Sequence, residues 1–172
     1  WQSIIKFFIM FPLYTVANIA LFERQKVLSK EEVESRYEIL MDEYEKQINI
    51  EALTMLDIAK KDILPAASKF SKELTDTIAN KKAIGIDLTY ELETAKKVSE
   101  YLTEAYQAMM TLENDVKKLH EIDDFEKSAF YVRDFIIQDM ANLRKPCDEL
   151  EVITSNSDWP FPTYGKLLFG IQ

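Results

Sequence analysis

Apolar residues recur at helical spacing through most of this chain. The longest series is Val33, Tyr37, Met41, Tyr44, Ile48, Ala52, Met55, Ala59, Ile63, Ala67, Phe70, Leu74 and Ile78. Its mean spacing is about 3.75 residues, slightly above the 3.6 of a straight α-helix. Glu38, Asp42, Glu45 and Lys46 fill the opposite face. Ser29-Lys30-Glu31-Glu32 should open this helix as a capping box, with Val27 and Leu28 stapling onto Val33. Pro65 lies inside the pattern. Proline removes one i→i−4 bond and crowds the carbonyl of Lys61, so a kink, or two helices end to end, is expected there. Cations at Lys81 and Lys82 followed by Gly85 should close the helix.

A second series begins after Asp87, a candidate N-cap: Leu88, Leu92, Ala95, Val98, Leu102, Ala105, Met109, Leu112, Val116 and Leu119. Its mean spacing of about 3.44 is close to a heptad repeat and implies near-antiparallel packing against a neighbour. Asp123-Asp124 opens a third helix, with Ala129, Val132, Ile136, Met140, Leu143, Cys147 and Leu150 on one face. Phe125, Phe130 and Phe135 add bulk, and Pro146 should bend the helix near its end.

Both ends differ from this middle. Residues 7–22 carry no charge, but the run is 16 residues long and interrupted by Pro12. That is short of the roughly 20 apolar residues a membrane-spanning helix needs. A segment buried against a helix or a partner is the expectation, with a membrane anchor as the alternative. The C-terminal stretch 155–172 opens as a polar loop and continues Trp159-Pro160-Phe161-Pro162-Thr163-Tyr164-Gly165. Its prolines oppose a helix and its aromatics favour docking on the body. The reading is one domain with three parts: 1–28, a helical bundle over 29–154, and a docking tail over 155–172. The predicted fold class is all-α. It is an antiparallel bundle of three to four long, partly kinked helices with an irregular aromatic tail.

Composition narrows the functions. The net charge is −9, so nucleic acids and anionic membrane surfaces would repel the chain. Only three glycines are available for phosphate-cradling turns, and the single cysteine rules out an internal disulfide. The lone cysteine is compatible with a cytoplasmic location. The first residue is Trp1, which suggests a piece of something longer.

Catalytic templates fail for want of residues. His120 is the only histidine, and position 117, where a di-iron Glu-x-x-His pair would need Glu, is Lys. No Gly-x-Ser-x-Gly and no Gly-rich Lys-Ser/Thr loop occurs. The 30 carboxylates fall almost entirely on polar helix faces. Glu51, flanked by Ile50 and Ala52, is the mild exception. Tyr37, Tyr44, Tyr101 and Tyr106 read as core and rim packing rather than a base-stacking row.

Four stretches resemble one family. They are Asn18-Ile-Ala-Leu-Phe-Glu-Arg-Gln-Lys-Val-Leu-Ser-Lys-Glu-Glu32, continued by Ser35-Arg36-Tyr37-Glu38; Ile48-Asn49-Ile50-Glu51-Ala52; Ala59-Lys60-Lys61-Asp62-Ile63-Leu64-Pro65-Ala66; and the Trp159–Gly165 segment with Leu167-Leu168-Phe169. In this order and spacing they are similar to the C-terminal region of the type III glutamine synthetases. The resemblance covers roughly residues 18–172, and residues 1–17 are more apolar than it implies. It implies a parent enzyme that joins ammonia to glutamate with ATP and Mg2+ in a large homo-oligomer. Nucleotide- and metal-binding groups would lie outside this chain, which would hold no catalytic, cofactor or metal residue. Its implied partners are the rest of the parent chain and neighbouring subunits. Arg36, Asn49 and Glu51 would then face the missing domain, Pro65 would shape the long helix, and Trp159, Phe161, Tyr164 and Leu168 would form the docking tail. The alternatives are a stand-alone helical interaction or scaffold protein and, as a variant, one tethered to a membrane through residues 7–22.

Overall fold

The computed structural model describes residues 14–162, 167, 168 and 170. The described residues form an all-α protein with four helices and no strand. Helix α1 is Val16–Arg24. Helix α2, Lys30–Ile58, runs through a π-helical turn, Ala59–Ile63, directly into α3, Leu64–Ala83. Helix α4 is Thr89–Leu119. Helix α5, Phe125–Tyr131, continues through a second π-turn, Val132–Ile136, into α6, Ile137–Ile153.

Local chemistry explains the boundaries. The capping box forms as the sequence predicts: the Ser29 N–H donates to Glu32 Oε2 at 2.7 Å and the Glu32 N–H donates to Ser29 Oγ at 3.2 Å. Of the two expected staple residues, only Leu28 turns inward; Val27 is exposed. Asp87 Oδ1 accepts from the Leu88 and Thr89 N–H groups ahead of α4, and Asp124 accepts from the Lys127 N–H at 2.8 Å ahead of α5. Helix α3 ends at Gly85 in the left-handed region, φ 71°. The Ile86 N–H reaches back to Lys81 O and the Gly85 N–H to Lys82 O. This paired closure satisfies two end carbonyls at once. Helix α1 closes by the same pattern, except that Lys26, at φ 56°, takes the place of glycine.

The expected kink at Pro65 takes the form of the π-turn. The Leu64 N–H bonds Ala59 O, five residues back. One extra residue thus enters a single turn just before the proline, and the helix continues unbroken to Ala83. The insertion also absorbs part of the excess in the 3.75 spacing. A second π-turn, with Ile137 N–H on Val132 O, has no proline or glycine within it and no mark in the sequence. Pro146 is buried inside α6, and the helix continues past it to Ile153.

The chain divides into two compact units that do not follow sequence order. One holds residues up to Leu53 together with Asn114–Gln138; the other holds Thr54–Glu113 and Asp139 onward. In the first, Val33, Tyr37, Met41, Tyr44, Ile48 and Ala52 of α2 are buried, as are Val116, Leu119, Ala129, Val132 and Ile136. The Tyr37 hydroxyl donates to Glu126 at 3.1 Å and its ring meets Phe125 edge-on. In the second, Leu56, Ala59, Ala67 and Leu74 are buried, as are Val98, Met109, Leu112, Leu143, Cys147 and Leu150. Leu56 takes the place that the spacing assigned to Met55, which is only half-buried. Within this unit Lys81 pairs with Glu91 and Lys60 with Glu113, so α3 and the facing part of α4 run antiparallel. Leu92, counted in the α4 stripe, is 42% exposed.

Candidate interface

Helix α2 buries one apolar stripe. Outside it, Ile39, Leu40, Ile50 and Leu53 are 55%, 39%, 65% and 46% exposed. Ile39, Ile50 and Leu53 fall on one side of the helix, with the exposed polar residues Glu43, Lys46 and Gln47 between them, while Leu40 turns towards Tyr14 and Phe22.

Arg36 borders two hollows of the first unit. One, of about 240 Å3, is lined by Tyr14, Phe22, Leu28, Val33, Arg36, Tyr37 and Leu40. Tyr14 stacks on Tyr37 with ring centroids 4.3 Å apart and forms one wall. The other is broad and shallow, with Glu31, Glu32, Ser35, Ile39 and Glu43 around Arg36 and Leu40. Arg36 is exposed and makes no hydrogen bond or ion pair among the described residues.

The remaining residues singled out from sequence are scattered. Asn49 is half-buried, and its Oδ1 is enclosed with no hydrogen-bond donor among the described residues, so its side-chain oxygen points into the protein. Glu51 is exposed and accepts from Gln47 at 3.1 Å. Pro65 is exposed in the first turn of α3. At the C-terminal end the backbone N–H groups of Asp158 and Trp159 both donate to Ser155 O, and Lys69 of α3 grips Asp158 at 2.7 Å. Trp159 is half-buried and meets Phe161 edge-on at 6.2 Å. Phe161 is 38% exposed and Leu168 73% exposed. Tyr164 lies outside the described residues, as do residues 7–13 of the apolar 7–22 run. Helix α1, Val16–Arg24, which holds most of the described remainder, has no buried residue. No helix among the described residues is long and apolar enough to cross a membrane.

The thiol of Cys147 and the hydroxyls of Tyr37 and Tyr44 are placed for packing. Burial pushes the Cys147 thiol up to about 11, far from a thiolate at neutral pH. Burial likewise pushes the Tyr44 hydroxyl up to about 12, and raises that of Tyr37 with help from the Glu126 carboxylate. Both tyrosines are core residues, whereas Tyr106 is exposed. No three His, Cys, Asp or Glu side chains among the described residues are grouped to hold a metal ion.

Comparison with known proteins gives the chain a context. Residues 9–82 match the glutamine synthetase C-terminal domain, so the likeness begins nine residues earlier than the quoted motifs. A glutamine synthetase of Butyrivibrio fibrisolvens is 34% identical over 157 residues, 90% of this chain and 22% of its own length. A type-3 glutamine synthetase of Dictyostelium discoideum is 30% identical over 162 residues, 88% of this chain and 22% of its own. A glutamine synthetase of Bacteroides fragilis is 23% identical over 151 residues, 84% and 21% respectively. The chain therefore spans about a fifth of the length of the relatives it matches. It belongs to the glutamine synthetases, to the C-terminal domain of the type III kind.

Proposed function

We propose that this chain is the helical C-terminal part of a cytoplasmic glutamate–ammonia ligase and serves it through structure and subunit contacts rather than chemistry. The ligation of ammonia to glutamate, with ATP and Mg2+, belongs to the remainder of the polypeptide. The observation that carries this reading is the match to a C-terminal glutamine synthetase domain in relatives about five times longer. The exposed Ile39, Ile50 and Leu53 of α2 are in keeping with it, because apolar area on a helix is stabilised when another surface covers it. The chemistry-bearing groups support it too: the single thiol and two of the tyrosines are committed to the core.

The test is the size of the natural product, blotted from source cells with an antibody raised against this chain. A band roughly five times 20.1 kDa is expected from the share of the relatives' length that the chain spans. A band at 20.1 kDa would overturn the reading and favour a free-standing helical scaffold. Purified residues 1–172 supplied with glutamate, ammonia, ATP and Mg2+ are expected to form no glutamine.

A further inference from the structure

The chain has six asparagines, and five of them, Asn18, Asn49, Asn80, Asn114 and Asn142, lie within helices. There the N–H of the next residue is held in an i→i−4 bond. The side chain of that residue, Ile19, Ile50, Lys81, Asp115 or Leu143, also crowds the approach to the asparagine amide. Asn156 differs on each count. It is exposed, it lies in the turn after α6, and the residue that follows it is the small, exposed Ser157. The Ser157 N–H donates to the Ser155 hydroxyl at 3.3 Å and not to a helix carbonyl. Asparagine is a thermolabile residue, and this one sits where its lability is least restrained.

We propose that Asn156 is a site of spontaneous deamidation, and that the isoaspartate it yields frees Asp158 and Trp159 from their anchor. Ser157 N gives its proton to solvent base and attacks Asn156 Cγ. The new N–Cγ bond closes a five-membered succinimide. The Cγ–Nδ2 bond breaks, and Nδ2 takes up a proton and leaves as ammonia. The reacting atoms belong to adjacent residues, so ring closure has the high effective concentration of an intramolecular step. Water then opens the ring at either carbonyl. Opening at Cγ leaves aspartate. Opening at the main-chain carbonyl leaves isoaspartate, whose chain runs through Cβ and Cγ and is one atom longer. Residue 156 lies inside two closing bonds: the Asp158 and Trp159 N–H groups both donate to Ser155 O, at 3.0 and 2.9 Å. Asp158 is in turn pinned to α3 by Lys69 at 2.7 Å. An extra main-chain atom at 156 enlarges both hydrogen-bonded rings and moves Asp158 off the lysine.

The experiment ages the full-length polypeptide that contains this sequence in mildly alkaline buffer, below its melting temperature. The tryptic peptide Lys145–Lys166 is followed by mass spectrometry, because Asn156 is its only side-chain amide. Conversion of amide to acid is expected there several-fold faster than in the peptides that hold Asn49 and Asn80, and an isoaspartyl methyltransferase should label the product. Asn156→Gln, which would have to close a larger ring, should abolish the conversion. In the aged protein, hydrogen exchange of the Asp158 and Trp159 amides should rise several-fold. Asn156→Asp adds the charge without the main-chain atom and should leave that exchange at the level of fresh protein. Conversion at Asn156 no faster than at the helical asparagines would overturn the proposal. Isoaspartate formed with no change in exchange would overturn the release of Asp158 and Trp159.

Discussion

Lys69 Nζ lies 2.7 Å from Asp158 Oδ1, joining α3 to a loop 89 residues further along the chain. The two partners are unequal: the Asp158 side chain is 4% exposed and that of Lys69 64%. The cation hydrogen-bonded to Asp158 has its own affinity for the proton raised. Removing the lysine leaves a buried carboxylate without compensation, whereas Asp158→Asn removes the buried charge itself. Lys69→Met is therefore expected to lower the melting temperature more than Asp158→Asn. Equal shifts would show that the pair does not anchor the loop.

Trp159 follows directly. Trp159 is half-buried, and its indole N–H is enclosed with no acceptor among the described residues. Trp159→Ala should cost about 2 kcal/mol, below the ~3–5 of a fully buried aromatic. Trp159→Phe should cost under about 1 kcal/mol, because it also deletes the unsatisfied donor. Thermal melts followed by circular dichroism separate the two. A larger loss for phenylalanine would mean that the indole N–H has a partner.

Lys26 and Gly85 close two helices with the same pair of backbone bonds, both at positive φ. Space is open around Gly85, with no atom within 4 Å of a Cβ built there. Gly85→Ala should thus cost only the left-handed backbone penalty, about 1 kcal/mol. Lys26→Gly should relieve the same strain and stabilise by up to about 1 kcal/mol, less the extra entropy of glycine in the unfolded chain. Chemical denaturation of both variants checks the opposite signs.

Glu91 supplies a pH dependence. Its carboxylate pairs with Lys81 across the turn between α3 and α4, and that hydrogen bond, with one from its own backbone N–H, holds its pKa below the usual 4.5. A depressed carboxylate contributes stability above its unfolded value and loses it as pH falls through the folded one. Glu91→Gln should therefore melt below the wild type at pH 7. The gap should close as the pH drops below about 4.5. A gap that stays constant with pH would sink the claim.

Most of the local structure was legible in the sequence. The Ser29–Glu32 box, the caps at Asp87 and Asp124 and the glycine closure at 85 depend on groups within a few residues of one another, so the order of residues decides them. Helical spacing likewise gave the buried face of α2 from Val33 to Ala52, because a 3.6-residue period has only one way to gather those side chains. The family resemblance was also carried by residue order, in the Trp159–Gly165 ending above all, since motifs keep their spacing whatever they pack against.

Tertiary structure decided the rest. Leu56 replaces Met55, and Leu92 falls out of its stripe, because burial depends on where a facing helix lies and not on period alone. Two π-turns carry the chain through residues 59–63 and 132–136 without breaking a helix, and only the first has a proline beside it. The sequence gives no sign that Ile39, Leu40, Ile50 and Leu53 stay exposed, because large apolar residues on a helix are expected in its core. Their exposure became visible only once the core had chosen the other face of α2, for a helix that buries one side must present the other to whatever comes next.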